Sequence, residues 1–256
     1  MPEVQAPRQP ILSIDLNADL GEGGVDDAAI LQLVSSANIA CGGHTGDALS
    51  MRTAVQLAIK NEVKIGAHPS FFDRTNFGRT RIHPPPVDLF DQLCRQVEAL
   101  GQIVQQEGAN LHHIKPHGAL YNQAAQDPSL GEILIQVIKE CGPAMQLIAL
   151  AGSPLIEQAR AAGIFVIPEA FADRRYNHDG SLRARTFHDA CINNEADVLA
   201  QCLSILRDHT AQTWDNKPIR IEARTLCLHG DGPHALQLLR AIRLGLARNA
   251  IQVTAK

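Results

Sequence analysis

The sequence predicts an α/β fold that consists of a single parallel (β/α) barrel. Short apolar runs alternate with helix-like stretches from residue 11 to the C-terminus. The runs are too apolar to be half-exposed, which indicates a parallel sheet covered by helices. Nearly every run also ends in polar residues beside Gly, Pro or Asp. Because an open sheet concentrates its ligand crevice at one switch point, polar ends on so many strands favour a closed or nearly closed barrel.

Seven apolar runs are predicted to be strands, because each is short and bounded by turn residues. In chain order they are residues 11–17, 36–42, 63–68, 111–116, 145–150, 164–170 and 225–230. We assign 11–256 to one barrel domain, since no repeat or linker interrupts the alternation. Residues 1–10, with three prolines and no apolar stretch, are predicted to be a flexible extension.

The segments between the strands carry helix signals. Asp47 is a candidate N-cap for a helix over 47–60. Prolines begin and a glycine ends the stretch 84–108, and Ser, Pro and Gly bound 153–163 in the same order. The other predicted helices are 26–34, 127–140, 194–207 and 233–249.

Composition, charge and missing motifs argue against several classes of function. The net charge is −4 without any block of like charges, so nucleic acid and anionic membranes are poor candidate partners. No apolar run approaches the roughly 20 residues of a membrane span. The six cysteines are far apart, with no C-x-x-C pair, which indicates reduced thiols and a cytoplasmic location. A P-loop and a G-x-S-x-G nucleophile elbow are both absent from the sequence.

Polar side chains on the first strand indicate a site inside the barrel. Asp15, Asn17 and Asp19 alternate with apolar residues, and strand side chains alternate faces, so these three share the interior face. Buried groups of this kind need partners. For Asp19 and Glu22 the alternative is a capping and turn network around the glycines that follow. The same parity groups residues 66 with 68, 113 with 115 and 117, 169 with 173, and 227 with 229 and 231.

Histidines at four strand ends, each beside Gly or Pro, favour one shared site. General acid–base catalysis by His and Asp and a metal ion that activates water are the two chemistries that suit them. No H-E-x-x-H or other tight ligand spacing is present, so the metal stays an open alternative. Its ligands, if it is bound, would be Asp19, His44, His68 and His117. The catalytic candidates are Asp15, Asp19, His44, His68, Lys115, His117, His229 and Asp231.

Further residues are candidates for binding a substrate. Lys115 could hold an anion, polarise a carbonyl, or pair with an inward carboxylate. The stretches 70–86 and 171–190 are longer than ordinary connections and are expected to be lids or binding loops. Their arginines offer guanidinium forks for carboxylate or phosphate, although about half are expected to be solvated. The substrate-binding candidates are Asn17, Glu22, Asn38, Arg79, Tyr121, Glu169 and Arg174.

Several long blocks, among them IDLNADLGE (14–22), IGAHPSF (65–71), KPHGALYN (115–122) and CLHGDGPHAL (227–236), resemble the LamB/YcsF family, which is known as the A-type component of 5-oxoprolinase. The resemblance implies an incomplete, seven-stranded barrel similar to polysaccharide-deacetylase-like domains. It also implies ATP-dependent opening of 5-oxoproline to L-glutamate together with two partner subunits, of the B and C types. ATP would be a co-substrate bound with or by those partners. Because the chain has no P-loop, we expect it not to hydrolyse ATP efficiently by itself.

Two alternative functions stay open at this point. One is a metal-dependent amide hydrolase or deacetylase, and the other is a non-catalytic scaffold that binds 5-oxoproline and hands it to its partners. Association of several copies of the chain is compatible with either. The sequence departs from the family at Gly43, where an aromatic residue is common, and at Thr45, where alanine is. The missing ring beside His44 would either enlarge the pocket or be replaced by a neighbour.

Overall fold

Strands and helices alternate along the computed structural model, which describes residues 12–229 and 234–255. The strands in these ranges are β1 (Ser13–Leu20), β2 (Ser36–Ala40), β3 (Lys64–His68), β4 (His113–Ile114), β5 (Gln146–Leu150), β6 (Val166–Phe171), β7 (Thr210–Gln212), β8 (Pro218–Arg220), β9 (Thr225–Cys227) and β10 (Gln252–Val253). The helices are α1 (Asp27–Ile30), α2 (Ala48–Lys60), α3 (Pro86–Gln106), α4 (Gly118–Ala124), α5 (Pro128–Cys141), α6 (Pro154–Ala161), α7 (Glu195–Asp208) and α8 (Ala235–Arg248). The predicted extension over 1–10 and the catalytic candidate Asp231 lie outside the described residues.

Seven parallel strands close into a barrel. Strands β1 to β6 follow one another around it, and β9 lies between β6 and β1. Thr225 on β9 is the register partner of both Asp15 and Glu169, which closes the ring. All seven pairings are parallel, so the carboxyl ends of the strands meet at one end of the barrel. A short parallel pairing joins β10 to the start of β1 at Ser13. The predicted seven-stranded parallel barrel is confirmed.

The fourth barrel strand is shorter than predicted. The prediction covers residues 111–116, whereas β4 has only the two residues His113 and Ile114. Pro116 has no amide hydrogen with which to continue the ladder, and α4 begins two residues later at Gly118. The other six predicted segments each overlap a barrel strand whose ends differ from the prediction by a few residues.

Local signals locate most helix ends. Asp47 caps α2 in a capping box, in which Ser50 N donates to Asp47 Oδ1 at 2.8 Å and Asp47 N donates to Ser50 Oγ at 2.9 Å. By contrast, α1 has four residues instead of the predicted 26–34. Ser35 N already donates to Leu16 O, so the chain has entered the barrel there. The short helix α4 and the β7–β8 hairpin were not predicted, because neither is long enough to show a clear hydrophobic period.

The barrel strands have an apolar outer face and a polar inner face. On β1, Leu16, Ala18 and Leu20 are buried in the main hydrophobic core. Asp15 and Asp19 are also buried, on the opposite face, as the alternation predicts. None of the helices in the described ranges is both long and apolar enough to cross a membrane.

Gly66 is the register partner of His113 and leaves room for that imidazole inside the barrel. A Cβ at Gly66 would lie 2.0 Å from His113 Nε2, which is bonded to Asn38 Oδ1 at 2.8 Å. We expect Gly66→Ala to lower the free energy of unfolding by about 1–3 kcal/mol, because the ring cannot move without losing that bond. Urea denaturation measures the change. Gly101→Ala on α3 is the control, since a Cβ there makes only an ordinary contact, and equal stability of the two variants would contradict the prediction.

Candidate functional site

Three histidines and one glutamate meet at the carboxyl ends of β1, β2, β3 and β4. Glu22, His44, His68 and His117 form this histidine cluster, and one donor atom from each lies within 4.8 Å of all the others. Glu22 Oε1 is 3.0 Å from His44 Nε2, 3.3 Å from His117 Nδ1 and 3.8 Å from His68 Nε2. His117 Nδ1 lies 2.9 Å from His68 Nε2. All three imidazoles are buried, and the four residues together could hold a metal ion.

Two of these imidazoles are held from outside by backbone carbonyls. His68 Nδ1 donates to Lys115 O at 2.7 Å. His117 Nε2 donates to Phe77 O at 3.0 Å. A carbonyl oxygen only accepts, so each of these nitrogens must carry the hydrogen of its ring. The other nitrogen of each ring therefore faces the cluster. Burial alone would lower the pKa of His68, but the Asp19 and Glu22 carboxylates raise it.

The third imidazole is held by a hydroxyl. The Ser70 hydroxyl donates to Phe71 O at 2.9 Å and lies 3.1 Å from His44 Nδ1. Because the serine hydrogen is already used, Ser70 accepts from His44 Nδ1. The rings of His44 and His117 are stacked, with centroids 3.6 Å apart. Burial lowers the pKa of His44 to about 4 and also lowers the pKa of His117, so both rings are neutral at pH 7.

Neighbouring side chains fill the space that an aromatic residue at position 43, common in the family, would occupy. A Cβ at Gly43 would lie 2.3 Å from Gln96 Oε1 and 2.4 Å from Ser70 Oγ. The Gln96 amide is bonded to both backbone groups of Ser70, accepting from N at 3.0 Å and donating to O at 2.9 Å. Gln96 therefore occupies the space beside His44 and holds the serine that orients its ring.

Asp19 and Glu22 were alternatively expected to form a capping and turn network around the glycines after β1. The structure does not place them in such a network. The turn after β1 is held by Asp27, whose Oδ2 accepts from Gly21 N at 2.8 Å. Asp19 instead points at Lys115, and its Oδ2 lies 3.4 Å from His68 Nε2. Of the two carboxylates, Glu22 belongs to the histidine cluster and Asp19 lies beside it.

Three roles were predicted for Lys115: binding an anion, polarising a carbonyl, or pairing with an inward carboxylate. In the structure it pairs with inward carboxylates. Its Nζ is 2.9 Å from Asp19 Oδ1, 2.9 Å from Glu169 Oε1 and 3.1 Å from Cys227 Sγ. Burial alone would lower the pKa of Lys115, but the Asp19 and Glu169 carboxylates hold it well above its usual value. The three ammonium hydrogens are engaged, so this arrangement offers none to a substrate anion.

Three of the predicted site residues lie below the cluster, in a layer of hydrogen bonds. The Asn38 amide donates to Asn17 Oδ1 and to Asp19 Oδ1, both at 2.8 Å. The Asn17 amide donates to Glu169 Oε1 at 2.9 Å. Asp15 accepts from the hydroxyls of Ser35, Ser36 and Thr225. None of the three lines the cavity above, so Asp15, Asn17 and Asn38 position other groups instead of touching a ligand.

A cavity of about 1370 Å³ opens above these residues. Its floor includes Asp19, His68, Lys115 and His117, and its wall includes Tyr121. The two long loops, 70–86 and 171–190, contribute most of the arginines at its mouth: Arg79, Arg81, Arg174, Arg183 and Arg185. These loops therefore lie where binding loops were predicted. The Arg174 guanidinium donates to Arg183 O and Ala190 O and thereby shapes its own loop.

A second titratable pair adjoins the same cavity through its histidine. His229 Nδ1 lies 3.0 Å from Asp173 Oδ2 and 3.2 Å from Asp173 Oδ1, and the imidazole stacks on Phe171 at 5.2 Å. His229 lines the cavity and is partly exposed. With Nδ1 donating to the carboxylate, Nε2 is left to exchange a proton with a ligand. Asp173 is absent from the sequence-based candidates, although strand parity already grouped it with Glu169.

Asp173 makes stability depend on pH. Burial alone would raise the pKa of this carboxyl, but His229 and Arg174 hold it below its ordinary value of 3.8. The depressed pKa stabilises the fold above about pH 4, and this contribution is lost as the pH falls through the folded-state pKa. Urea unfolding of wild type and Asp173→Asn measures the difference between their free energies of unfolding. We expect this difference to be largest near neutral pH and to become smaller toward about pH 2. A difference that does not change with pH would contradict this expectation.

Comparison with known proteins shows what the chain is similar to. The model of the LamB/YcsF family matches residues 14–256. The crystal structure of a lactam utilization protein from Thermus thermophilus has 35% sequence identity and a TM-score of 0.89, over 96% of this chain and 100% of that chain. A family 4 carbohydrate esterase from Streptomyces lividans has 11% identity and a TM-score of 0.51, over 94% and 91%. A peptidoglycan deacetylase from Bacillus subtilis has 9% identity and a TM-score of 0.50, over 97% and 89%. The last two share the barrel fold, as predicted for deacetylase-like barrels.

Proposed function

The chain belongs to the LamB/YcsF family, and on that premise we propose that it is the lactam-opening component of an ATP-dependent 5-oxoprolinase. The reaction converts 5-oxoproline, ATP and two water molecules to L-glutamate, ADP and phosphate. The observation that carries the proposal is the Asp173–His229 pair, whose imidazole lines one cavity together with His68 and His117 of the histidine cluster. The solved relative at 35% identity is described as a lactam utilization protein, which supports a cyclic amide as the substrate.

The chemistry needs a group that moves a proton twice. Water attacks the lactam carbonyl carbon and gives up a proton, and the ring nitrogen accepts a proton as the C–N bond breaks. His229 can serve both steps, because Asp173 fixes Nδ1 as the donor and leaves Nε2 facing the cavity. The same arrangement stabilises the imidazolium that forms between the two steps.

The substrate carboxylate needs a cation. Arginines at the mouth of the cavity suit this role, because a guanidinium binds a carboxylate with two parallel hydrogen bonds. The candidate anchors are Arg174 and Arg79, whose guanidinium lies over the Phe77 ring, 4.9 Å from its centroid, at the same cavity. Lys115 is engaged with Asp19 and Glu169, so it stabilises the floor of the site.

ATP enters the proposal as a co-substrate that the partner subunits bind. A five-membered lactam is an unactivated amide, and phosphorylating its oxygen makes the carbonyl carbon a better electrophile. The first water then opens the ring to the acyl phosphate of glutamate, and the second water hydrolyses that acyl phosphate to L-glutamate and phosphate. The chain has no P-loop. We therefore assign the nucleotide to the B and C type partners and the hydrolytic steps to this chain. The cavity, at about 1370 Å³, exceeds the ordinary range for small-molecule pockets and leaves room for a phosphorylated lactam.

A glutamate-release assay tests the proposed function. The chain is assayed with 5-oxoproline and ATP, alone and together with its two partner subunits. We expect glutamate only from the complete set, and little ATP hydrolysis by the isolated chain. Robust 5-oxoproline-dependent ATP hydrolysis by the isolated chain would contradict the division of labour, and no glutamate from the complete set would overturn the function.

The same preparations discriminate the two alternative functions. Release of acetate from a linear N-acetyl substrate by the isolated chain, without ATP, would favour an amide hydrolase or deacetylase. Binding of 5-oxoproline in a titration, combined with full turnover by His229→Ala in the complex, would favour a non-catalytic scaffold.

A further inference from the structure

We propose that the histidine cluster of Glu22, His44, His68 and His117 is a binding site for one divalent transition-metal ion of the zinc type. Binding of the ion follows from the geometry of the cluster alone. Only its role, as a Lewis acid toward an oxygen of the ligand in the cavity, rests on the proposed function.

The outer nitrogens of the three imidazoles are all used outside the cluster. Carbonyl oxygens take the hydrogens of His68 Nδ1 and His117 Nε2, and the Ser70 hydroxyl takes that of His44 Nδ1. The inner nitrogens, His44 Nε2, His68 Nε2 and His117 Nδ1, therefore face one another and Glu22, and each offers a lone pair to a metal ion whenever it carries no hydrogen. The fourth member is the carboxylate of Glu22, which only accepts.

These inner atoms are too close together to be stable without a shared positive charge. His68 Nε2 and His117 Nδ1 are 2.9 Å apart, and Glu22 Oε1 is 3.0 to 3.8 Å from the three nitrogens. One shared proton can bridge one of these pairs and leaves the others facing each other. A cation at the centre satisfies all four at once. Donors at 2.0–2.1 Å from a tetrahedral ion are about 3.4 Å from one another, which lies within the observed spread.

The donor set indicates which ion fits. Three imidazole nitrogens and one carboxylate oxygen match zinc, cobalt and nickel, whereas magnesium and calcium prefer oxygen ligands. The outer hydrogen bonds orient each ring, as is usual around metal-binding histidines. His68 and His117 also line the cavity, so a bound ion would be reached from the ligand side. The structure assigns Glu22 as the carboxylate ligand in place of Asp19, which pairs with Lys115.

Metal stoichiometry and affinity test the proposal without any activity assay. The full chain is stripped with a chelator, dialysed against zinc chloride or cobalt chloride, and analysed by elemental mass spectrometry and calorimetric titration. We expect one equivalent of zinc and, for cobalt, the visible absorption of a tetrahedral complex. Glu22→Gln and His117→Ala should each weaken zinc binding by more than about 100-fold, and His83→Ala, which removes an exposed imidazole outside the cluster, should not change it.

A milder variant keeps the test informative if a ligand variant does not fold. Ser70→Ala leaves the four ligands in place but removes the acceptor that orients His44, and we expect it to weaken zinc binding by about 10–100-fold. Wild-type protein that takes up no zinc, or binding unchanged in both ligand variants, would overturn the metal site. Glutamate release by metal-free complex would overturn only the role of the ion, and zinc binding without any 5-oxoproline turnover would overturn only the proposed function.

Discussion

Lys115→Met is expected to destabilise the folded chain by about 3–5 kcal/mol, because it leaves two buried carboxylates without their cation. Asp19 and Glu169 each lie 2.9 Å from Lys115 Nζ, and all three side chains are almost completely buried. The ammonium can be replaced by an apolar group of similar length, but the carboxylates cannot be hydrated inside the barrel. A loss of this size is a large fraction of the stability of an ordinary domain.

Urea denaturation at neutral pH measures this effect. Lys139→Met is the matched control, because Lys139 is exposed on α5, and it should change the free energy of unfolding by less than about 0.5 kcal/mol. Adding Glu169→Gln to Lys115→Met removes one of the two uncompensated charges and should restore part of the stability. A loss below about 1 kcal/mol in the single variant would show that the buried ion pair is not what stabilises the floor of the site.

His229→Ala is expected to lower kcat for 5-oxoproline by about 100- to 10,000-fold in the complete complex, with a much smaller change in KM. The reason is that His229 Nε2 is the proton-transfer atom of the proposed mechanism, while the carboxylate of the substrate is anchored elsewhere in the cavity. Glutamate release under saturating 5-oxoproline and ATP measures kcat. The control is His188→Ala, which removes an exposed imidazole from the same long loop as Asp173.

Asp173→Asn separates proton transfer from positioning. The asparagine keeps the size of the side chain, but without the carboxylate it neither holds His229 in one tautomer nor stabilises the imidazolium, so we expect kcat to fall at least about 10-fold. The pH profile of kcat should change together with its magnitude, which a purely structural role of Asp173 would not require. Wild-type kcat in both His229→Ala and Asp173→Asn would remove this pair from the mechanism.

Most of the fold is predictable from the sequence, because its signals are local. Barrel strands are indicated by their apolar content, and helix starts by the Asp47 cap and by the prolines at the first positions of α3, α5 and α6. The errors have equally local causes. A two-residue strand before Pro116 and a seven-residue helix after it are too short to show a period, so the sequence indicates one longer strand instead.

The candidate site is predictable in composition but not in its contacts. Strand parity correctly groups the inward side chains, including His113 with Lys115. It does not tell Asp19 from Glu22 as the carboxylate of the histidine cluster, because Asp19 lies at the carboxyl end of β1 and Glu22 in the turn just after it, and that turn sets the direction of Glu22. It also leaves open whether Lys115 holds a substrate or a carboxylate, since both require the same buried position.

The sequence by itself determined the number of parallel strands, the inward face of β1 and the family to which the chain belongs. The tertiary structure decided which side chains meet. Lys115 is 96 residues from Asp19 along the chain, and His229 is 56 residues from Asp173. Such pairs form only when the barrel closes and brings the carboxyl ends of its strands to one end. The protonated nitrogen of each imidazole depends in turn on the oxygens of Ser70, Phe77 and Lys115. Hydrogen-bond direction is a property of neighbours in space, and no local pattern in the chain encodes it.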